Sequence, residues 1–320
     1  MSILTTLPSD LYSADAFANF VNSSDFRIGN ARAAAWLCQL AYETEDRTKI
    51  SNILSTWNAA FVGDGIVSAI VTTPLPISRT EAFVARRDGT RFIAFAGTDP
   101  IVVADWITDF RIHPNAEGVA AGFAEAAQSA LPVIRALLNE DRSEPIYVTG
   151  HSLGGALAVI AAAALTREGF RIEAVYTYGM PRPGTQEFKT SYDATLGART
   201  YRLVYATDVV PTVPPSALGM RHVGRLLRCV GGSKFDAADL TPDTYSDDPA
   251  FIETMAKAIM GDLRRPWDRS ARALSAARRI VDLSRARRRP VRGDFVGLMF
   301  ETLPTALRDH LPDRYIAAAG

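Results

Sequence analysis

The chain has 320 residues, 48% of them apolar and 22% charged, and its 35 basic and 35 acidic side chains cancel to a formal net charge of zero. These proportions exclude a disordered chain, a collagen and a coiled coil, and they leave no global positive field to gather nucleic acid. The longest apolar stretch, Gly154 to Leu165, falls short of the roughly 20 residues that a bilayer span requires, and the opening residues carry Asp10 and Asp15 without a basic run, so no secretory signal is expected.

In chain order, Asn30 to Tyr42 is Ala-rich with Ala34, Leu37, Cys38, Ala41 and Tyr42 at helical spacing, which predicts a helix. Two β-like runs follow, Ala82 to Arg86 and Arg91 to Ala96, joined by Asp88-Gly89 as in a hairpin. Gly122 to Leu138 is a candidate helix that contains Pro132. Pro145 to Thr149 reads as a short buried strand, Gly155 to Arg167 as an Ala-rich helix, and Ile172 to Tyr178 and Tyr201 to Ala206 as further strands. Alternation of this kind predicts an α/β chain with a mostly parallel sheet. Cys38 and Cys229 lie in apolar surroundings and are expected to be buried, reduced thiols; no Cys/His pair has metal-ligand spacing, so no metal is expected.

Between the predicted strand at 145–149 and the helix that follows stands Gly150-His151-Ser152-Leu153-Gly154, a G-x-S-x-G pattern in strand–turn–helix context. A serine in such a turn takes a positive φ, so its hydroxyl stands clear of the sheet. Gly150 and Gly154 leave room for the turn, and the following helix N-terminus favours a developing anion. A serine hydroxyl is a weak nucleophile at neutral pH and needs a base, with an acid to orient the base. The order Ser, Asp/Glu, His excludes His113, which precedes the serine. His151 adjoins Ser152 in the strained turn, so its side chain is expected to point elsewhere. His222 and His310 remain as bases. Asp208 follows a predicted strand and is the better acid; Asp193 has no such strand before it.

These residues together resemble the class 3 lipases, the family of filamentous-fungal triacylglycerol lipases and their bacterial and plant relatives. GHSLGGALA (150–158) is similar to that family's nucleophile signature, ATDVVPTVPP (206–215) to its acid segment and AFAGTDPIVVADWITDF (94–110) to its oxyanion segment; Asp309-His310-Leu311 with Tyr315 resembles its catalytic-His segment. The resemblance covers about 30–235 and 295–320. It implies an α/β-hydrolase fold: a mostly parallel central sheet flanked by helices, with a helical insertion before the catalytic His. It implies Ser152 as nucleophile, Asp208 as acid and His310 as base, with Thr98 and Leu153 as oxyanion donors. Asp109 would brace Thr98, Gly150 and Gly154 would support the turn, and Trp106 would anchor a lid over 99–106. The chain departs from the pattern in having Ala121 before Gly122-Phe123, where many relatives have His, and in showing neither the disulfides nor the signal of the secreted fungal relatives.

The implied domain plan is a hydrolase core over 1–235, an Arg-rich helical insertion over 236–294 and a C-terminal part of the core over 295–320. Residues 264–292 carry a local charge of +9, which leaves −9 on the remainder. If Arg272 to Ala286 is helical, Ala273, Ala277, Ile280 and Ser284 share one side ringed by arginines. That pattern suits either an anionic membrane surface or a solvated face packed on an acidic domain. The apolar runs 250–263 and 295–303 suit either an acyl pocket or core. The implied activity is ester hydrolysis on lipid acyl esters without any cofactor; a soluble-ester esterase, a phospholipase, an acyltransferase and a membrane-associated binding protein with a vestigial site stay open. No nucleic-acid partner and no obligate protein partner are expected. The expected location is cytoplasmic, at or near the inner membrane face, with signal-less export as an alternative.

Overall fold

The computed structural model describes residues 6–71, 79–98, 114–139, 141–242 and 305–320. The strands are β1 (Ala60–Ile70), β2 (Arg79–Arg87), β3 (Thr90–Phe95), β4 (Ile146–His151), β5 (Ile172–Tyr178), β6 (Gly184–Thr185), β7 (Thr200–Tyr205), β8 (Met220–Arg221), β9 (Arg225–Cys229) and β10 (Thr241–Pro242). The main helices are α1 (Ile28–Ala41), α2 (Arg47–Thr56), α3 (Ala121–Leu138), α4 (Leu153–Arg167), α5 (Gln186–Asp193), α6 (Thr305–Arg308) and α7 (Pro312–Ala319). The central sheet has the order β1-β2-β3-β4-β5-β7-β9-β10. From β3 through β9 every pairing is parallel; β1, β2 and β10 pair antiparallel at the two ends. The hairpin predicted at Asp88-Gly89 is present, with both residues at positive φ and Arg87 opposite Thr90.

Side-chain alternation sorts the sheet into two faces. Val84, Ile93, Phe95, Val148 and Val175 face α3 and α4, whereas Phe83, Phe92, Tyr147, Tyr176 and Tyr201 face α1, α2 and α7. Both faces are covered, as a parallel sheet requires. Helix α4 is buried along nearly its whole length, which explains its run of alanines: small side chains let it lie close against the sheet on one side and α3 on the other.

On the α1 face, a row of tyrosines ties the N-terminal segment before α1, and the first turn of α1, to three adjacent strands. The Tyr147 hydroxyl accepts from Ser23 N–H at 2.7 Å, and the Tyr201 hydroxyl donates to Ser24 O at 2.7 Å. Tyr176 accepts from Arg27 N–H at 3.3 Å, and Tyr178 donates to Ala31 O. Cys38 and Cys229 are free and buried, as the sequence implies, and burial pushes each thiol up to about 12. No helix among the described residues is long and apolar enough to cross a membrane.

The parallel strands all run toward one edge of the sheet. The segments leaving β3, β4, β5 and β7 there carry Thr98, Ser152, Gly179 and Asp208 in turn, and the chain returns near its C-terminus to add His310. That edge is where open parallel sheets place their ligands.

Candidate active site

Strand β4 ends at His151, and Ser152 is the residue before α4 begins, with φ 58° and ψ −132°. A non-glycine side chain rarely adopts this conformation, and here the packing holds it in place. A Cβ on Gly150 would overlap the Gly154 backbone, and one on Gly154 would stand 2.5 Å from Phe95 O and 2.7 Å from Ala96 O. The two glycines thus let the turn close on itself and lie against the end of β3. The Ser152 N–H donates to Tyr178 O at 2.8 Å, which locks the turn to β5. Leu153 opens α4, so its N–H has no carbonyl one turn earlier to bond and is left pointing out of the helix end. Thr98 is half-buried on the segment leaving β3.

His310 Nδ1–H donates to the Asp208 carboxylate, at 2.8 Å to Oδ2 and 3.0 Å to Oδ1. Asp208 Oδ1 also accepts the Val210 N–H at 2.9 Å, and Oδ2 accepts the Tyr315 hydroxyl at 2.5 Å. Ser152, Asp208 and His310 are 0%, 0% and 1% exposed, so the carboxylate is a buried charge fully dressed with donors. Burial first, and then the Asp208 charge, push the Tyr315 hydroxyl well above the usual tyrosine range, which keeps it a donor. Gly179 lies between the two sides of the site. Its φ is +58°, and a Cβ there would stand 2.6 Å from Asp208 Oδ2 and 2.8 Å from His310 Nδ1. Among the described residues, the buried polar atoms left without a hydrogen bond include Ser152 Oγ and His310 Nε2.

The other sequence candidates fall elsewhere. His222 Nε2–H donates to Pro211 O at 2.8 Å, and burial, then Arg202 and Arg182, hold the ring well below the usual histidine range; Asp208 receives His310 instead. Asp193 pairs with Lys189 at 2.8 Å and accepts the Gly224 N–H, so it braces a loop. His151 does point away from the Ser152 hydroxyl: its Nε2–H donates to His310 O at 2.6 Å and its Nδ1 accepts from the Tyr42 hydroxyl at 2.7 Å. Trp106 and Asp109, the 99–106 lid segment, His113 and the runs at 250–263, 264–292 and 295–303 lie outside the described residues. No metal-binding cluster occurs among the described residues.

Sequence reasoning missed Asp309, Thr207 and Tyr42. Asp309 Oδ2 accepts from Thr207 N–H at 3.1 Å and from its hydroxyl at 2.6 Å, which pins the segment before His310 to the Asp208 loop. The partners are 102 residues apart, and although both lie in the motif segments quoted above, no local window pairs them.

Chemically, an imidazole whose Nδ1–H is held by a buried carboxylate has its Nε2 left to accept a proton, and the start of α4 leaves an N–H able to meet negative charge. Residues 92–218 match the family described as Lipase (class 3). A secreted mono- and diacylglycerol lipase of Fusarium solani is 35% identical over 167 residues, 49% of this chain and 49% of that protein. A Rhizomucor miehei lipase is 31% identical over 237 residues, 69% of this chain and 57% of that protein. The chain spans about half the length of the curated relatives it matches. The solved Rhizomucor miehei lipase propeptide complex superposes with a TM-score of 0.53 at 25% identity, covering 77% of this chain and 86% of that one. With the nucleophile-type turn, the acid loop and the parallel sheet all in the matched region, the chain belongs to the class 3 lipase family.

Proposed function

We propose that the protein hydrolyses carboxylic esters of acylglycerols through Ser152, His310 and Asp208. The observation that carries this reading is the pair of buried, unpartnered atoms, Ser152 Oγ and His310 Nε2, in a site whose carboxylate is otherwise fully hydrogen-bonded. Two unsatisfied polar atoms cost folding energy, on the order of 1–3 kcal/mol each, and such a cost fits a site kept ready for a substrate. In this reading Ser152 Oγ attacks the ester carbonyl carbon as His310 Nε2 takes its proton. The Thr98 and Leu153 N–H groups receive the oxyanion. His310 then gives that proton to the leaving alcohol, and an acyl group remains on Ser152. Water attacks the acyl carbon in turn, losing its proton to His310, and the acid departs as Ser152 regains its proton. Asp208 orients the ring and balances its charge while it is protonated.

The acylglycerol preference rests on the similarity to the Fusarium solani and Rhizomucor miehei lipases. The division into a core over 1–235 and 295–320 and an insertion over 236–294 belongs to the same proposal. So does docking of the +9 segment on an anionic surface, where each arginine contributes on the order of 1 kcal/mol. A cytoplasmic location is supported by the two free thiols. The test is tributyrin hydrolysis as its concentration crosses the solubility limit, with Ser152→Ala as control. The expected result is a rate that jumps when droplets form and vanishes in Ser152→Ala. Saturation below the limit would assign a soluble-ester esterase instead, and full activity in Ser152→Ala would reject the site.

A further inference from the structure

The histidine beside the proposed nucleophile is engaged on both ring nitrogens, and neither bond serves Ser152. A carbonyl oxygen can only accept, so the 2.6 Å contact with His310 O places the proton of His151 on Nε2. Nδ1 is then an acceptor, and the Tyr42 hydroxyl fills it at 2.7 Å. Tyr42 caps the C-terminal end of α1 and is itself buried. The two rings meet edge to face, with centroids 6.0 Å apart. The His151 ring also lies over His310, with centroids 4.6 Å apart and planes 32° from parallel. A Cβ on Gly97 would run into the Tyr42 hydroxyl and stand 2.6 Å from His151 O, so the same pair lies behind the segment that leads to Thr98.

The main chain around His310 is held at several described points. The His310 N–H reaches Leu307 O at 3.3 Å, the long end of a hydrogen bond, and the Leu311 N–H reaches Arg308 O at 3.2 Å. Asp309 is fixed by Thr207 before the ring, and the His310 carbonyl is fixed by His151 after it. We propose that Tyr42 and His151 form a positioning device that fixes the His310 backbone, and through it the imidazole, against the Ser152 turn. The inference rests on the ester-hydrolase reading above. His151 suits this task because it is a rigid, two-ended link with one donor and one acceptor. Burial, and then repulsion from His310, hold it well below the usual histidine range. It thus stays neutral near pH 7 and keeps both bonds there.

The test compares Tyr42→Phe, His151→Leu and His151→Gln with the parent chain, measuring kcat and KM on p-nitrophenyl butyrate and titrating sites with a fluorophosphonate. A displaced base loses rate while the bound ester is unaffected, so kcat per titrated site should fall about a hundredfold in His151→Leu with KM nearly unchanged. Tyr42→Phe keeps the ring and removes only the hydroxyl, so its kcat should fall by about fivefold. His151→Gln retains an amide N–H for the His310 carbonyl and should recover most of what His151→Leu loses. The proposal is overturned if Tyr42→Phe and His151→Leu keep the parent kcat per titrated site, if glutamine recovers nothing relative to leucine, or if the loss lies wholly in the number of titratable sites. Should the parent chain take up no label, or Ser152→Ala hydrolyse the ester at the parent rate, the ester-hydrolase reading falls and this inference falls with it. Normal labelling of the parent with unchanged variants removes this inference alone.

Discussion

Tyr315 shares a carboxylate oxygen with His310: Asp208 Oδ2 accepts both the hydroxyl and the ring N–H. The Tyr315 oxygen in turn accepts the Tyr205 N–H at 3.2 Å, so the phenol is fixed by the strand that leads to the acid. Each donor spreads the carboxylate charge and restricts its rotation, which keeps Oδ2 aimed at the imidazole. Tyr315→Phe leaves the ring packing in place and removes one charge-assisted bond, worth about 1.5–3 kcal/mol. The expected outcome is a tenfold or greater fall in kcat (order of magnitude from that bond energy, ~1.4 kcal/mol per decade) with KM little changed, read by steady-state kinetics on a soluble ester. Unchanged kcat would show that Asp208 is held well enough by Val210 and His310.

Among the secondary-structure elements, those around Ser152 were legible in the sequence because each has a strong local cause. The β4 and β5 runs are short and apolar, the alanines of α4 have helical propensity, and the G-x-S-x-G turn announces itself. Strand β1 was not legible. Gly63, Asp64 and Gly65 interrupt its pattern, both glycines have positive φ, and the register shifts between Phe61 and Ile66, so a long edge strand reads locally as a turn. Strand β9, Arg-Leu-Leu-Arg-Cys, mixes charge into a five-residue run and is a strand because β7 offers it a partner. At the site, the Ser152 turn was legible, whereas the links from Tyr42 to His151 and from Thr207 to Asp309 are long-range pairs that no window of sequence contains. A direct check on the turn is Gly154→Ala. Its added methyl would meet two backbone carbonyls that cannot move aside cheaply, so a loss of about 3 kcal/mol in unfolding free energy is expected from chemical denaturation. A loss below about 0.5 kcal/mol, the usual scale of a harmless surface change, would contradict the packing described for the turn.

Across the whole molecule, two buried histidines, His151 and His222, couple folding stability to pH. His151 and His222 are both held well below the usual histidine range in the fold, chiefly by burial. Unfolded, each would bind a proton near pH 6.5, so the unfolded chain binds more protons as pH falls below that value. The stability they contribute is therefore fully present above about pH 6.5 and declines toward the lower folded values, at up to about 1.4 kcal/mol per pH unit for each histidine. Urea titrations at pH 7.5, 6.0 and 5.0 should show this decline, and His222→Asn should reduce its slope by one proton. A pH-independent unfolding energy over that span would contradict the neutral burial of both rings.

The proposed function requires Ser152 to carry an activated hydroxyl. The direct measurement is to react the protein with a fluorophosphonate and locate the label by peptide mass spectrometry. The expected result is one label per chain, on the peptide containing Ser152, and none in Ser152→Ala. A label on another residue, or undiminished labelling of Ser152→Ala, would contradict it.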